Sequence, residues 1–132
     1  MDKLKDSHKK LFKQFSNGIT HNLILWIISK ESIHGYGIMK RLEDFFDSEN
    51  YDIKTSSSKI YPILRKMEKM GLIAGEWEVV NNKRVKYYSI TDDGILVLNH
   101  IKSNMHKVLT TESWLEYFND MSGGEIGFVK SD

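Results

Sequence analysis

Along the stretch SSSKIYPILRKMEKMGLI, apolar residues fall at Ile60, Ile63, Leu64, Met67 and Met70, the spacing of one face of an α-helix. Lys59, Tyr61, Arg65, Lys66 and Lys69 lie off that stripe, so one segment carries an apolar face and a basic one. Ser56, Ser57 and Ser58 are N-cap candidates. Pro62 lacks an N–H and fits best in a first turn, whose donors have no intrahelical partner. Together these signals predict a helix that starts close to Ser57 and stops at Met70-Gly71-Leu72, with Gly71 in the left-handed C-cap conformation.

The same reading predicts three helices upstream. DKLKDSHKKLFKQF sets Leu4, Leu11, Phe12 and Phe15 among lysines, a weakly amphipathic helix that Asn17-Gly18 ends. Ile19 to Ser29 is apolar nearly all round and should be the most buried helix. SIHGYG then breaks the pattern and reads as a capped turn with Tyr36 in the core, although a ligand site at His34, Gly35, Tyr36 and Gly37 is the sharper alternative. A third helix follows from Gly37 to about Phe46, with Ile38, Leu42, Phe45 and Phe46 inward, and DSENYDIKTS is a polar loop.

Downstream of the two-faced helix, Ile73 to Val79 and Val85 to Ile90 are strand-like and are joined by VNNKR. Tandem asparagines tolerate positive φ, so this segment predicts a β-hairpin with a polar tip. Thr91 then caps a long helix, and Asp92 and Asp93 complement its dipole. Ile95, Leu98, Ile101, Met105 and Val108 recur at the alternating spacing of a coiled-coil seam.

The expected fold is therefore mainly α with a small β-hairpin. A winged helix-turn-helix domain over residues 17–90 follows a helical arm at 1–16 and precedes a dimerisation helix at 91–118 and a flexible tail at 119–132. In that architecture the helix before the hairpin packs one face on the core and offers the other to the DNA major groove, which gives both stripes a reason.

Composition adds exclusions. The chain of 132 residues suits one domain. It holds no cysteine, which removes disulfides, thiolate metal sites and cysteine nucleophiles. The longest apolar run, LILWII, is too short to span a bilayer, and no leader pattern opens the chain, so a cytoplasmic protein is expected. Charge is informative once divided: residues 53–90 carry eight Lys/Arg against three Asp/Glu, whereas residues 91–132 carry three against seven. The middle of the chain suits a polyanion.

On this reading the DNA-facing residues are Ser57, Ser58, Lys59, Tyr61 and Arg65, with Lys83, Arg84 and Lys86 at the hairpin tip. Tyr61 suits either DNA contact or packing at the foot of the hairpin. The three tip cations sit beside a mobile turn and should supply affinity more than specificity. Leu98, Ile101, Met105 and Val108 form the expected dimer seam, and Trp26, Trp77 and Trp114 serve the core, the hairpin and the seam. A hydrophobic pocket between subunits, lined by Trp114 or Tyr117, could admit a planar small-molecule effector. No cofactor is expected: His100 and His106 do not share a helix face, no phosphate-binding glycine loop is present, and no histidine is placed to activate Ser57. The rival reading is a winged-helix module that binds an acidic protein instead of DNA.

HGYGIMKRLEDFF, SSSKIYPILRKMEKMGLI and RVKYYSITDDGILVL resemble, in order and separation, three blocks of the PadR family of transcriptional regulators, over roughly residues 17–110. The resemblance implies a homodimeric repressor whose long C-terminal helix packs on the partner subunit and which reads a pseudo-palindromic operator. The C-terminal part is short, as in the smaller members of that family, and is expected to lack the extended C-terminal domain of the larger ones.

Overall fold

The computed structural model describes residues 5–46 and 57–124, with the backbone alone at 7 and 9–17. The predicted polar loop, Ser56 as a cap, the end of the tail and the side chains of Leu4, Leu11, Phe12 and Phe15 lie outside the described residues. The chain forms two compact units, Met1–Ile95 and Leu96–Asp132.

In the first unit, α1 (Asp6–Lys30) leads into a two-residue strand β1 (Ile33–His34), then α2 (Gly35–Glu43) and α3 (Ser57–Lys69). The hairpin β2 (Ile73–Val80) and β3 (Lys83–Ile90) follows, and α4 (Asp92–Thr110) begins directly after it. The sheet is antiparallel with order β1-β3-β2; Ile33 pairs with Tyr88, and β2 pairs with β3 from Ile73↔Ile90 out to Val80↔Lys83. The core joins Ile24, Ile27 and Ile28 of α1 with Ile38 and Leu42 of α2, Ile60, Ile63, Leu64 and Met67 of α3, and Ile73 and Tyr88 of the sheet. As the apolar run LILWII predicts, this part of α1 is deeply buried.

Several boundaries differ from the sequence reading. Asn17-Gly18 does not end a helix: α1 runs through it as one rod of 25 residues. A helical glycine costs only about 1 kcal/mol, a penalty that burial of the following face outweighs. The hairpin acquires a third strand, β1, because the extended backbone that precedes the α2 cap lies alongside β3. α2 starts two residues earlier than predicted, and Phe45 lies beyond its end, exposed, with its ring edge-on to Trp26 at 6.2 Å. The predicted helix over 91–118 is two helices, α4 and α5 (Glu112–Met121), broken at Thr111, whose backbone is extended at φ −86° and ψ 130°. Two β-branched residues precede that restart, and Thr110 turns its hydroxyl back to the His106 carbonyl at 2.7 Å. The tail predicted from 119 consequently begins as helix.

Local chemistry fixes the C-terminal end of α3. Pro62 falls in the second turn rather than the first, so α3 forgoes the one backbone bond that an N–H at this position would give. At the C-terminal end Gly71, with φ +74°, donates to the Glu68 carbonyl and Leu72 donates to that of Met67, the paired bonds of a Schellman stop. The Thr91 hydroxyl donates to the Gly71 carbonyl at 2.6 Å and accepts from the Gly94 N–H at 3.1 Å. Gly94 is required there: a Cβ would collide with the Leu72 carbonyl oxygen, which is backbone and cannot swing away. TDDG thus stitches the start of α4 to the end of α3.

Candidate nucleic-acid interface

α3 presents the two predicted faces. Ile60, Ile63, Leu64 and Met67 are buried, while Ser57, Ser58, Tyr61, Arg65, Lys66 and Lys69 are exposed and Lys59 is half-buried. Met70 departs from the stripe: it lies past the last turn and is 59% exposed. Arg65, with Ser58 two turns before it and Lys69 one turn after, runs down the outer side of the helix.

The HGYG segment supports this surface from behind. The His34 imidazole accepts the Gly37 N–H at 3.1 Å, capping α2, and its ring stacks flat on Tyr87 with centroids 5.4 Å apart. The neutral ring must carry its hydrogen on the other nitrogen. Gly35 leaves room for Tyr61 of α3: a Cβ at Gly35 would stand 2.7 Å from the Tyr61 hydroxyl and 2.9 Å from its ring. Tyr61 thus lies against the β1–α2 corner with its side chain 40% exposed. Tyr36 is not in the core; it is 59% exposed, edge-on to His34, with the Lys40 ammonium 5.5 Å from its ring. Gly37 occupies the inner position beside the cap, and Tyr36 is left facing outward.

The hairpin tip is tighter than the sequence suggests. Asn81 and Asn82 have φ of +51° and +64°, and Val80 pairs directly with Lys83, so the turn is a two-residue one of the I′ kind. Lys83, Arg84 and Lys86 therefore sit on a regular strand, not a mobile turn. Lys86 is not a tip cation at all: its ammonium lies 2.7 Å from the Glu68 carboxylate at the end of α3. That hydrogen bond raises the Lys86 pKa above the ordinary lysine value, against a smaller opposing effect of burial. While Glu68 is ionised, the stability that Lys86 contributes is fully present below the ordinary lysine pKa and is lost as pH rises through the raised one. Burial likewise pushes the Tyr88 hydroxyl above its usual range. Arg84 stacks over the exposed Trp77 ring, its guanidinium 4.8 Å from the centroid.

The structure thus brings Ser57, Ser58, Tyr61 and Arg65 together on one helix and sets Lys83 and Arg84 apart on the outer hairpin, while Lys86 ties the two together. Sequence reasoning missed β1, the Glu68–Lys86 pair and the Trp77–Arg84 stack. The hairpin register, readable from Asn81-Asn82 as a two-residue turn, would have placed Trp77 opposite Lys86 and diagonal to Arg84. Glu68 carries no signal of its own.

In the second unit, Ile101 and Val108 are half-buried and Met105 is exposed, but Leu98 is only 7% exposed within the single chain and has little surface to offer a partner. The open apolar residues are Leu96, Met105 and Leu109 of α4 and Trp114, Tyr117 and Met121 of α5. A depression on α5, bounded by Ser113, Glu116, Tyr117, Asn119 and Asp120, is polar and open. Among the described residues no three His, Asp or Glu side chains gather as metal ligands would, and no helix is long and apolar enough to cross a membrane.

A helix-turn-helix closed by a three-stranded sheet, with a polar, basic helix face beside a hairpin, defines a winged-helix protein. Residues 24–100 match the transcriptional regulator PadR-like family, and the chain belongs to that family. It is similar to the crystal structure of a PadR-like transcriptional regulator from Bacillus cereus, at 33% identity and TM-score 0.63, over 77% of this chain and 95% of that one. A PadR family transcriptional regulator from Eggerthella lenta matches at 29% identity and TM-score 0.57, over 82% of this chain and 93% of that one. A PadR family transcription regulator from Clostridium difficile, at 22% identity and TM-score 0.57 over 80% of this chain and 98% of that one, shares the fold. No match is found among curated protein sequences.

Proposed function

We propose that the chain is a cytoplasmic, sequence-specific DNA-binding repressor that acts as a homodimer on a pseudo-palindromic operator. The observation that carries this reading is the outer face of α3: Ser57, Ser58, Tyr61 and Arg65 lie exposed on a helix whose opposite face is locked in the core. Such a helix can enter a groove without loosening the domain. Ser57 and Ser58 in the first turn suit phosphate or base edges, and Arg65 can hold a guanine in bidentate fashion. Lys59, half-buried at the flank, suits a phosphate better than a base. Lys83 and Arg84 are the hairpin's cations for the DNA, and Lys86 serves the α3–hairpin junction.

Binding to duplex DNA spanning the promoter upstream of the protein's own gene tests the reading. The affinity should fall with salt by about 0.9 log unit per log unit for each phosphate contact, and a footprint should show two related half-sites. Binding to an acidic protein but to no duplex would favour the interaction-module alternative instead.

The dimer in this proposal uses Ile101, Met105 and Val108, with the open apolar residues of α4 and α5 beside them. An Ile101→Asp, Met105→Asp double variant is expected to sediment as a monomer, since burying unpaired carboxylates in an apolar seam is prohibitive. A variant still dimeric at micromolar concentration would refute the seam.

A further inference from the structure

Trp77 is 58% exposed, and two cations lie against its ring. Arg84 lies over it at 4.8 Å and Lys86 at 5.8 Å, and the Lys86 ammonium also lies 5.5 Å from the ring of buried Tyr88. Arg84 and Lys86 are two apart on β3 and so share one face of the sheet with Trp77. Two like charges at that spacing repel, and a hairpin needs neither for its own stability. Here the Trp77 π-face and the Glu68 carboxylate hold both cations at that face. Among the described residues no carboxylate pairs with Arg84, so its guanidinium keeps its hydrogen-bond donors for another acceptor. The chain Glu68–Lys86–Trp77–Arg84 runs without a gap from the end of α3 to the outer hairpin.

We infer that Trp77 is a positioning residue: it fixes the Arg84 guanidinium at a set distance from α3, so that Arg84 reads minor-groove width beside each half-site. The inference rests on the DNA-binding reading above. A loose cation adds affinity to any sequence, because every sequence has phosphates. A planar guanidinium held in one place discriminates, since the narrow minor groove of A·T runs concentrates negative potential at particular positions. Arg84 stacks as lysine cannot, and it is less strongly hydrated, so it can enter such a groove. This departs from the expectation that the tip cations supply affinity more than specificity, which rested on a mobile turn, whereas Arg84 stands on a paired strand.

The test is selection of bound duplexes from a random-sequence pool by the full chain, in parallel for the unsubstituted protein and for Trp77→Ala, Trp77→Phe, Arg84→Ala and Arg84→Lys. The unsubstituted protein should enrich two-fold related half-sites and, at a constant offset outside them, runs of A·T pairs. Trp77→Ala should keep the half-sites but lose the flanking preference, by roughly two- to fivefold, the worth of an exposed cation–π contact, and Arg84→Ala and Arg84→Lys should lose the same preference. Trp77→Phe keeps a ring and should retain most of it. Unchanged flanks in Trp77→Ala would overturn the inference, as would loss of the half-sites together with the flanks, because Trp77 would then serve only to fold the hairpin. Half-sites without any flanking preference in the unsubstituted protein would sink this inference alone, whereas no enrichment of any sequence would sink the DNA-binding reading itself.

Discussion

Replacing Leu64 with alanine is expected to lower the unfolding free energy by about 2–5 kcal/mol. Leu64 is 0% exposed at the centre of the α3 stripe, flanked by Ile60, Ile63 and Met67, where α3 meets α2 and β2. Truncation removes three carbons from that contact and leaves a void that regular elements on either side cannot close. In a domain of this size each kcal/mol moves Tm by about 4–8 °C, so a melting curve suffices to see it. A loss below about 0.5 kcal/mol, the range of ordinary surface changes, would mean that α3 is not held as described.

Its neighbour Arg65 should behave in the opposite way. Arg65→Ala leaves the buried stripe untouched, so Tm should hold, while operator affinity falls by about 1–3 kcal/mol and affinity for random DNA falls less. Both affinities must be measured at one salt concentration. Equal losses on the two DNAs would recast Arg65 as a phosphate clamp, and no loss at all would remove this face of α3 from the interface. Adjacent residues of one helix, one governing stability and the other binding, give the two-faced pattern its sharpest experimental form.

Periodicity made much of this legible. The stripe through Ile60, Ile63, Leu64 and Met67 settled which way α3 faces, and with it the exposure of Tyr61 and Arg65. Gly71 and Thr91 announced the ends of elements because their chemistry is local: a left-handed residue, a hydroxyl three residues before an N–H. What stayed hidden was either short or long-range. β1 has two residues, too few for any alternation to register, and it exists because β3 lies beside it. The Glu68–Lys86 pair joins residues 18 apart through the fold, and no spacing rule reaches that far. Gly18 misled because its helix penalty is real but small beside the burial that α1 gains. Tyr36 misled because an aromatic between glycines reads as core, whereas the His34 cap turns that side chain outward.

Because Ile33 and His34 pair with Tyr88 and Tyr87, the two ends of the helix-turn-helix are tied across the sheet, and α2 and α3 lie inside a closed ring of chain. Such a ring pays its closure entropy once, at the short pairing that joins its ends. Parting β2 from β3 breaks the hairpin ladder but leaves this closure in place, because β1 pairs with the opposite edge of β3. The hairpin ladder and the ring are thus two closures that share one strand, β3: Arg84 belongs to the first, while Tyr87 and Tyr88 belong to both.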